Sequence, residues 1–290
     1  MSAADSACYL AKEKGRGRVH LSLRDDAELT TRRGEMQWVS RIQKAITDDR
    51  LVLFGQSIVP VHAGNHADMH QEILVRMLDE NGELIAPNAF IPAAERYGIM
   101  PEIDRWIIGR AFQLMQRSQL LWPGNPEGWF SINLSGETMA DDATLGYIRE
   151  QLKRFDIDPR QVCFEVTETA AIANMSSAID LMTELKGDGC RFALDDFGSG
   201  LSSFGYLKAL PVDFLKIDGE FVRNLTQNPI DRVMVNAIND VGHAMNLRTI
   251  AEFVEDAATM SELRRIGVDY AQGYGVAAPV VLAVTQTGTD

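Results

Sequence analysis

From Leu51 onward the chain alternates short apolar runs with stretches whose apolar residues recur every three or four positions. The short runs are the pattern of buried strands, and the recurring spacing is that of amphipathic helices. LVLFGQSIV (51–59) and ILVRML (73–78) read as strands joined by a polar turn containing Gly64 and Asn65. A helix after Pro101 carries Ile103, Ile107, Ala111 and Leu114 on one face. WFSINLS (129–135) reads as a strand, followed by a helix with Leu145, Ile148, Leu152 and Phe155 at helical spacing. VCFEVTE (162–168) is a further strand, then a helix using Ala178, Met182 and Leu185. RFALDDF (191–197) and DFLKID (213–218) are strands, and Ile230, Val233, Ala237, Val241 and Ala244 mark a long amphipathic helix. RTIAEFVE (248–255), a helix from Met260 to Ile266 and DYAQGY (269–274) complete the series. Repeated βα units predict the α/β class and a (β/α)8 TIM-like barrel, with a doubly wound open sheet as the alternative. No G-x-G-x-x-G or G-x-x-x-x-G-K follows the first strand, which counts against the open nucleotide-binding sheet.

Polar residues recur near the strand ends: Asn133, Glu165, the pair Asp195 and Asp196, Lys216 with Asp218, Glu252 and Gln272, while Glu72 opens the second strand. A barrel gathers strand ends on one face, so these positions can meet there. Adjacent acids at the end of a buried strand are costly without a cation. Carboxylate and amide oxygens are the donors Mg²⁺ or Mn²⁺ accepts, so the set predicts an oxygen-rich metal site. No H-E-x-x-H or C-x-x-C points to zinc. His62, His66 and His70 lie close together in the first hairpin and read as a solvated loop rather than a metal site. Lys216 among acids is either a structural ion pair or a group that orients and polarises a metal-bound water. Two close metals would suit phosphodiester hydrolysis.

Composition narrows the picture. The 290 residues, 46% hydrophobic and 24% charged, are those of a soluble globular protein. A formal net charge of -13 argues against a nucleic-acid polymer or an anionic lipid surface as partner, while leaving room for a metal-held phosphate. Cys8, Cys163 and Cys190 show no pairing spacing, which suggests the reducing cytoplasm. No apolar run approaches the roughly 18 residues of a membrane span, although a longer parent protein could be membrane-anchored.

Eight ordered blocks resemble the EAL family of cyclic-di-GMP phosphodiesterases over about residues 50 to 282. They are Glu72-Ile73-Leu74 extended by Arg76, FIPAAERYGIM (90–100), INLS (132–135), EVTET (165–169), DDFGSGLSSFGYLKALP (195–211), KID (216–218), AEFVE (251–255) and QGY (272–274). The resemblance implies an EAL-type barrel over 36–282 that opens one phosphodiester of cyclic-di-GMP to give linear 5′-pGpG. It implies a first metal on Glu72, Asn133, Glu165 and Asp195, with Asp195 bridging to a second on Asp196, and Asp218 supporting the second metal or Lys216. It gives Lys216 the orientation of the nucleophilic water, with Glu252 beside it as a metal-side or base-like carboxylate. Glu168 would anchor the loop after Asp196. Gln56, Leu74, Arg76, Glu255 and Gln272 fall on the ligand side, and Arg76 suits phosphate through its planar fork. A homodimer through the loop after Asp196 is also implied.

Departures from the family pattern spare the metal ligands. Ile73 stands for a small residue, Ser199 for Thr, Phe204 for an aliphatic residue, and Gly55 and Ser57 flank Gln56 in place of Tyr and Pro. GVAAPVVL after QGY is less aromatic than the family ending, and 283–290 reads as a tail. Residues 4–22 resemble the C-terminal end of a GGDEF (diguanylate cyclase) domain, so 1–35 reads as a remnant of such a domain plus linker, with upstream regulatory domains absent from this chain. The alternative function is a catalytically weak module that senses cyclic-di-GMP. A third, Mg²⁺-dependent carbanion chemistry, would need a Lys or His base opposite the metal and leaves Arg76 and Gln272 unexplained.

Overall fold

The computed structural model describes residues 27–62, 70–118, 128–198 and 205–282. Gly64, Asn65, His66, Ser199, Phe204, the stretch 4–22 and the tail 283–290 lie outside them. Where a charged linker is expected, helix α1 (Ala27–Thr47) already begins at Ala27. Strands β1 (Leu51–Pro60) and β2 (His70–Leu78) follow, then β3 (Leu84–Ile85), α2 (Pro87–Arg96) and α3 (Met100–Ser118).

The chain divides into two compact units, residues 1–51 with 77–99 and residues 52–76 with 100–290. In the smaller, α1 packs on α2 over buried Ile42, Ala45, Phe90 and Ala94, and β3 pairs antiparallel with the end of β2. The larger holds the barrel. After α3 come β4 (Phe130–Asn133), α4 (Gly136–Met139), α5 (Ala143–Arg154), β5 (Val162–Thr167), α6 (Glu168–Ala173), α7 (Met175–Asp188) and β6 (Arg191–Phe197). Then follow β7 (Phe214–Ile217), α8 (Gly219–Arg223), α9 (Pro229–Ala244), β8 (Arg248–Ala251), α10 (Ala257–Ile266), β9 (Tyr270–Ala271) and β10 (Val280–Val281).

The sheet runs β10-β1-β9-β8-β7-β6-β5-β4-β2-β3 and closes through a β1–β2 pairing, giving a barrel of β1, β2 and β4 to β9. From β2 and β4 through to β9 the neighbours are parallel. β1 runs antiparallel to β9, as a strand entering by a hairpin must. The expected barrel is therefore present, with its first strand reversed.

Short polar residues end several strands and start the next helix. Thr167, Asp218 and Asp256 each accept a hydrogen bond from a backbone N–H of the first turn of α6, α8 and α10, satisfying donors a helix leaves open. The expected core faces of α3 and α7 are buried at Ile103, Ile107, Ala111, Leu114, Ala178, Met182 and Leu185. On α9 the stripe runs the other way. Val235, Ile238, Asn239 and Gly242 face the barrel, while Ile230 and Val233 are 71% and 65% exposed.

His70 corrects the reading of a solvated histidine loop. It is buried on β2 and stacks on Trp129, while His62 is exposed. Ile58, Trp129, Cys163, Ala193, Phe214, Ile250 and Tyr270 form the apolar plug near the strand starts, and Trp129 stacks on Phe214. Burial, then the charges of Arg191 and Arg248, push the His70 pKa down to about 3.

Candidate functional site

At the opposite end of the strands from that plug, four carboxylates surround one ammonium. Lys216 Nζ lies 2.5 Å from Glu165 Oε2, 2.7 Å from Glu252 Oε1, 3.1 Å from Asp195 Oδ1 and 3.5 Å from Glu72 Oε2. Each acid comes from a different strand or strand end, and strand register sets their spacing: Asn133 pairs with Glu165, and Thr167 with Asp195. Asn133 donates to Glu72 Oε1 at 2.7 Å, and Gln272 donates to Glu72 Oε2 at 2.7 Å and to Gln56 Oε1 at 3.1 Å. Gln56 in turn donates to the Ala277 carbonyl.

The charges do not balance. Four carboxylates share one ammonium, in a place where Lys216 and Glu165 are fully buried. Burial works against the charge on Lys216, yet Asp195, Glu165, Glu252 and Glu72 outweigh it and hold its pKa well above the ordinary value. Burial would also raise Glu72, but Lys216, Asn133 and Gln272 bring it down. Glu165 is pushed up to about 8 by burial and by the charge of Glu72. Glu252 is driven well above the usual carboxylate range by burial and by Asp195. Among the described residues, Glu165 Oε1 has no hydrogen-bond partner, and Asp195 Oδ1 has only the unaligned approach of Lys216. Buried carboxylate oxygens left without donors, beside excess negative charge, are what a divalent cation would satisfy. The donor set therefore fits hard cations.

Asp196 joins the cluster by a backbone device. Neighbouring strand residues point to opposite faces, but Asp196 has φ +54° and the β6–β7 register is irregular between Leu194 and Phe197. As a result Asp195, Asp196 and Glu252 each offer an oxygen, all within 4.8 Å of one another. Burial and the charges of Asp195 and Asp218 raise Asp196 to about 6. Asp218 itself caps α8, accepting from Glu220 N–H at 2.7 Å.

These groups open onto a cavity of about 320 Å³ lined by Gln56, Glu72, Leu74, Arg76, Asp195, Asp196, Glu252, Phe253, Gln272, Gly273, Tyr274 and Pro279. Arg76 sits on its wall with its guanidinium 5.5 Å from the Phe54 ring. Glu255 is exposed and outside that lining, and Glu168 is buried away from the cluster, bonded to Gly198 and Tyr206. At Gly55 a Cβ would come 2.8 Å from Gln71 Oε1 and 2.9 Å from Leu282 Cδ2, the ends of flexible side chains that can shift, so packing does not explain the glycine.

Two lining residues escape a sequence reading. Phe253 is 43% exposed and Tyr274 69%, both open to the cavity. Phe253 has φ +50°, and Arg223 lies 4.0 Å over its ring. The ring fits only because position 219 has no side chain, since a Cβ there would sit 2.0 Å from Phe253 Cδ2. Nothing in AEFVE announces the left-handed backbone, but an aromatic beside a site acid was a usable signal.

The EAL domain family matches residues 39–279. The cyclic di-GMP phosphodiesterase PdeB of Shewanella oneidensis is 42% identical over 97% of this chain and 32% of its own length. The bifunctional diguanylate cyclase/cyclic di-GMP phosphodiesterase MucR of Pseudomonas aeruginosa is 32% identical over 96% of this chain and 40% of its own. The chain thus spans about a third of the length of these curated relatives. Among solved structures, the PaMucR phosphodiesterase in its c-di-GMP complex superposes with a TM-score of 0.78 at 31% identity, covering 84% of this chain and 97% of that one. The FimX EAL domain of Pseudomonas aeruginosa bound to c-di-GMP gives 0.77 at 28%, covering 85% and 97%. With a match over most of its length, the chain belongs to the EAL domain family.

Proposed function

We propose that the barrel hydrolyses one phosphodiester bond of cyclic-di-GMP to give linear 5′-pGpG, using two divalent cations, Mg²⁺ or Mn²⁺. The observation that carries this reading is the carboxylate nest around Lys216, in which, among the described residues, Glu165 Oε1 has no donor and Asp195 Oδ1, at the cavity wall, no aligned one. Glu72, Asn133, Glu165 and Asp195 would hold one ion, and Asp195 and Asp196, with Asp218 nearby, the other. When bound, the ions supply Lewis-acid polarisation of the phosphate and a more acidic water.

The side chains supply the rest. Lys216, gripped by four carboxylates, would give up one of these contacts to turn an N–H donor toward the attacking water. Glu252 Oε1, 2.7 Å from that ammonium, is placed to accept the water's proton, and burial and the charge of Asp195 strengthen its hold on a proton. Arg76 offers two parallel N–H donors to a phosphate. Gln56 and Gln272 offer amide groups, and Phe253 and Tyr274 offer exposed ring faces to the guanine bases. The c-di-GMP bound in both structural neighbours supports that ligand.

The same reading includes self-association through the segment after Asp196, and the exposed Ile230 and Val233 on α9 offer a further apolar surface for such a contact. Among the described residues no helix is long and apolar enough to cross a membrane. The test is hydrolysis of cyclic-di-GMP with Mg²⁺ or Mn²⁺ against an EDTA control, following 5′-pGpG by chromatography. Metal-dependent product is expected. Tight binding of the nucleotide without product would favour a sensor instead.

A further inference from the structure

Two stretches of backbone meet on one buried carboxylate outside the cavity. Glu168, in the first turn of α6, accepts a hydrogen bond from Gly198 N–H on Oε2 at 3.1 Å and from the Tyr206 hydroxyl on Oε1 at 2.5 Å. Gly198 lies two residues beyond Asp196, and Tyr206 opens a 3₁₀ turn anchored by the fully buried Leu207.

What Gly198 holds matters for the site. Asp196 adopts φ +54°, a left-handed conformation that Asp tolerates better than most L residues but that its surroundings must still select over the extended one. On the strand side, Asp195 is fixed opposite Thr167 by the β5–β6 ladder. Beyond Asp196, the Phe197 ring is fully buried and its carbonyl accepts from Asp218 N–H. Gly198 comes next at φ +103°, close enough to Phe221 and Ile238 that a Cβ would lie 2.9 and 3.1 Å from them. The Glu168 carboxylate adds a side-chain restraint on that outgoing side through Gly198 N–H. A carboxylate can rotate about the bond that carries it, and a charge-assisted bond from a phenol to its other oxygen helps to fix its plane.

We propose that Tyr206 is a positioning residue for the second metal ion: by fixing Glu168 it holds Gly198, and through Gly198 the turn that aims the Asp196 carboxylate into the site. This inference rests on the two-ion reading above. It makes Tyr206 neither a ligand nor a catalytic residue, so its loss weakens one ion rather than substrate binding.

The experiment counts Mn²⁺ on the purified chain by electron paramagnetic resonance, for the wild type, Tyr206→Phe, Glu168→Gln and the double variant, with melting curves for each. Tyr206→Phe should melt within a few degrees of the wild type and bind the weaker of two Mn²⁺ about tenfold less tightly, leaving the tighter one within twofold. At saturating Mn²⁺ its kcat should recover and its KM for cyclic-di-GMP stay within twofold. Glu168→Gln should lose at least as much, and the double variant no more than Glu168→Gln. Unchanged affinity for the weaker ion in Tyr206→Phe, when the wild type binds two, overturns the role of Tyr206 alone. A wild type that turns over cyclic-di-GMP with a single Mn²⁺ overturns the two-ion reading and this inference with it.

Discussion

Replacing Lys216 by Met tests the electrostatic logic of the site most directly. Methionine keeps much of the volume and removes the charge, leaving Glu72, Glu165, Asp195 and Glu252 facing one another without the ammonium that now lies 2.5 to 3.5 Å from each. At an effective dielectric of about 20, one charge pair at 4 Å is worth about 4 kcal/mol, so the lost attraction is large. Proton uptake by Glu165 and Glu252, already raised by burial and by the neighbouring acids, relieves part of it. Removing one partner from a buried ion pair usually costs about 3–5 kcal/mol. For a chain of this size that corresponds to a fall in Tm of roughly 10 °C. Without metal, Lys216→Met should therefore melt roughly 10 °C lower, and Mg²⁺ or Mn²⁺ should raise its Tm more than that of the wild type, because a cation fills the same charge deficit. Turnover should fall about 10²–10⁴-fold even with saturating metal, since the oriented N–H donor is gone. Scanning calorimetry with and without Mn²⁺, paired with chromatographic detection of 5′-pGpG, reads both quantities. A Tm unchanged without metal, together with wild-type turnover, would refute the reasoning.

Asp195→Asn keeps the shape of the side chain but removes the charge expected to bridge two ions, and should reduce turnover to background; hydrolysis at the wild-type rate would displace Asp195 from the site. Phe253→Ala should raise the KM for cyclic-di-GMP about fivefold or more, from about 1 kcal/mol of lost base stacking, with kcat little changed; an unaltered KM would remove Phe253 from the ligand surface. His70 has a folded pKa of about 3 against 6.5 for the free side chain, so the neutral ring is the folded form. Its contribution is whole above pH 6.5 and is lost as pH falls toward 3, amounting to about 2 kcal/mol at pH 5. Urea melts at pH 7 and 5 should show that loss in the wild type and a flatter dependence in His70→Phe, and equal pH slopes would exclude His70 as the source. Ile230→Ser with Val233→Ser on α9 should shift the sedimentation coefficient toward the monomer value, whereas an unchanged dimer would place the contact elsewhere.

Much of the barrel was legible because strand and helix periods differ, and buried parallel strands leave continuous apolar runs such as RFALDDF and DFLKID. Most site acids were legible too, since a barrel brings strand ends together whatever their separation in sequence. Tertiary structure decided the rest. Asp196 shares a cavity with Asp195 through a left-handed φ that neighbouring elements enforce, and no local pattern encodes that. His70 looked solvated because its burial comes from Trp129, fifty-nine positions away. The face α9 turns to the barrel follows from packing on β7 and β8, which selected Val235 and Ile238 over an equally apolar stripe. Phe253 enters the cavity because Gly219, on another element, leaves room for its ring. The sequence alone determined which residue types reach each strand end, through periods that are local. Burial, backbone strain and shared partners are properties of pairs distant in sequence, and only the closed barrel brought those pairs together.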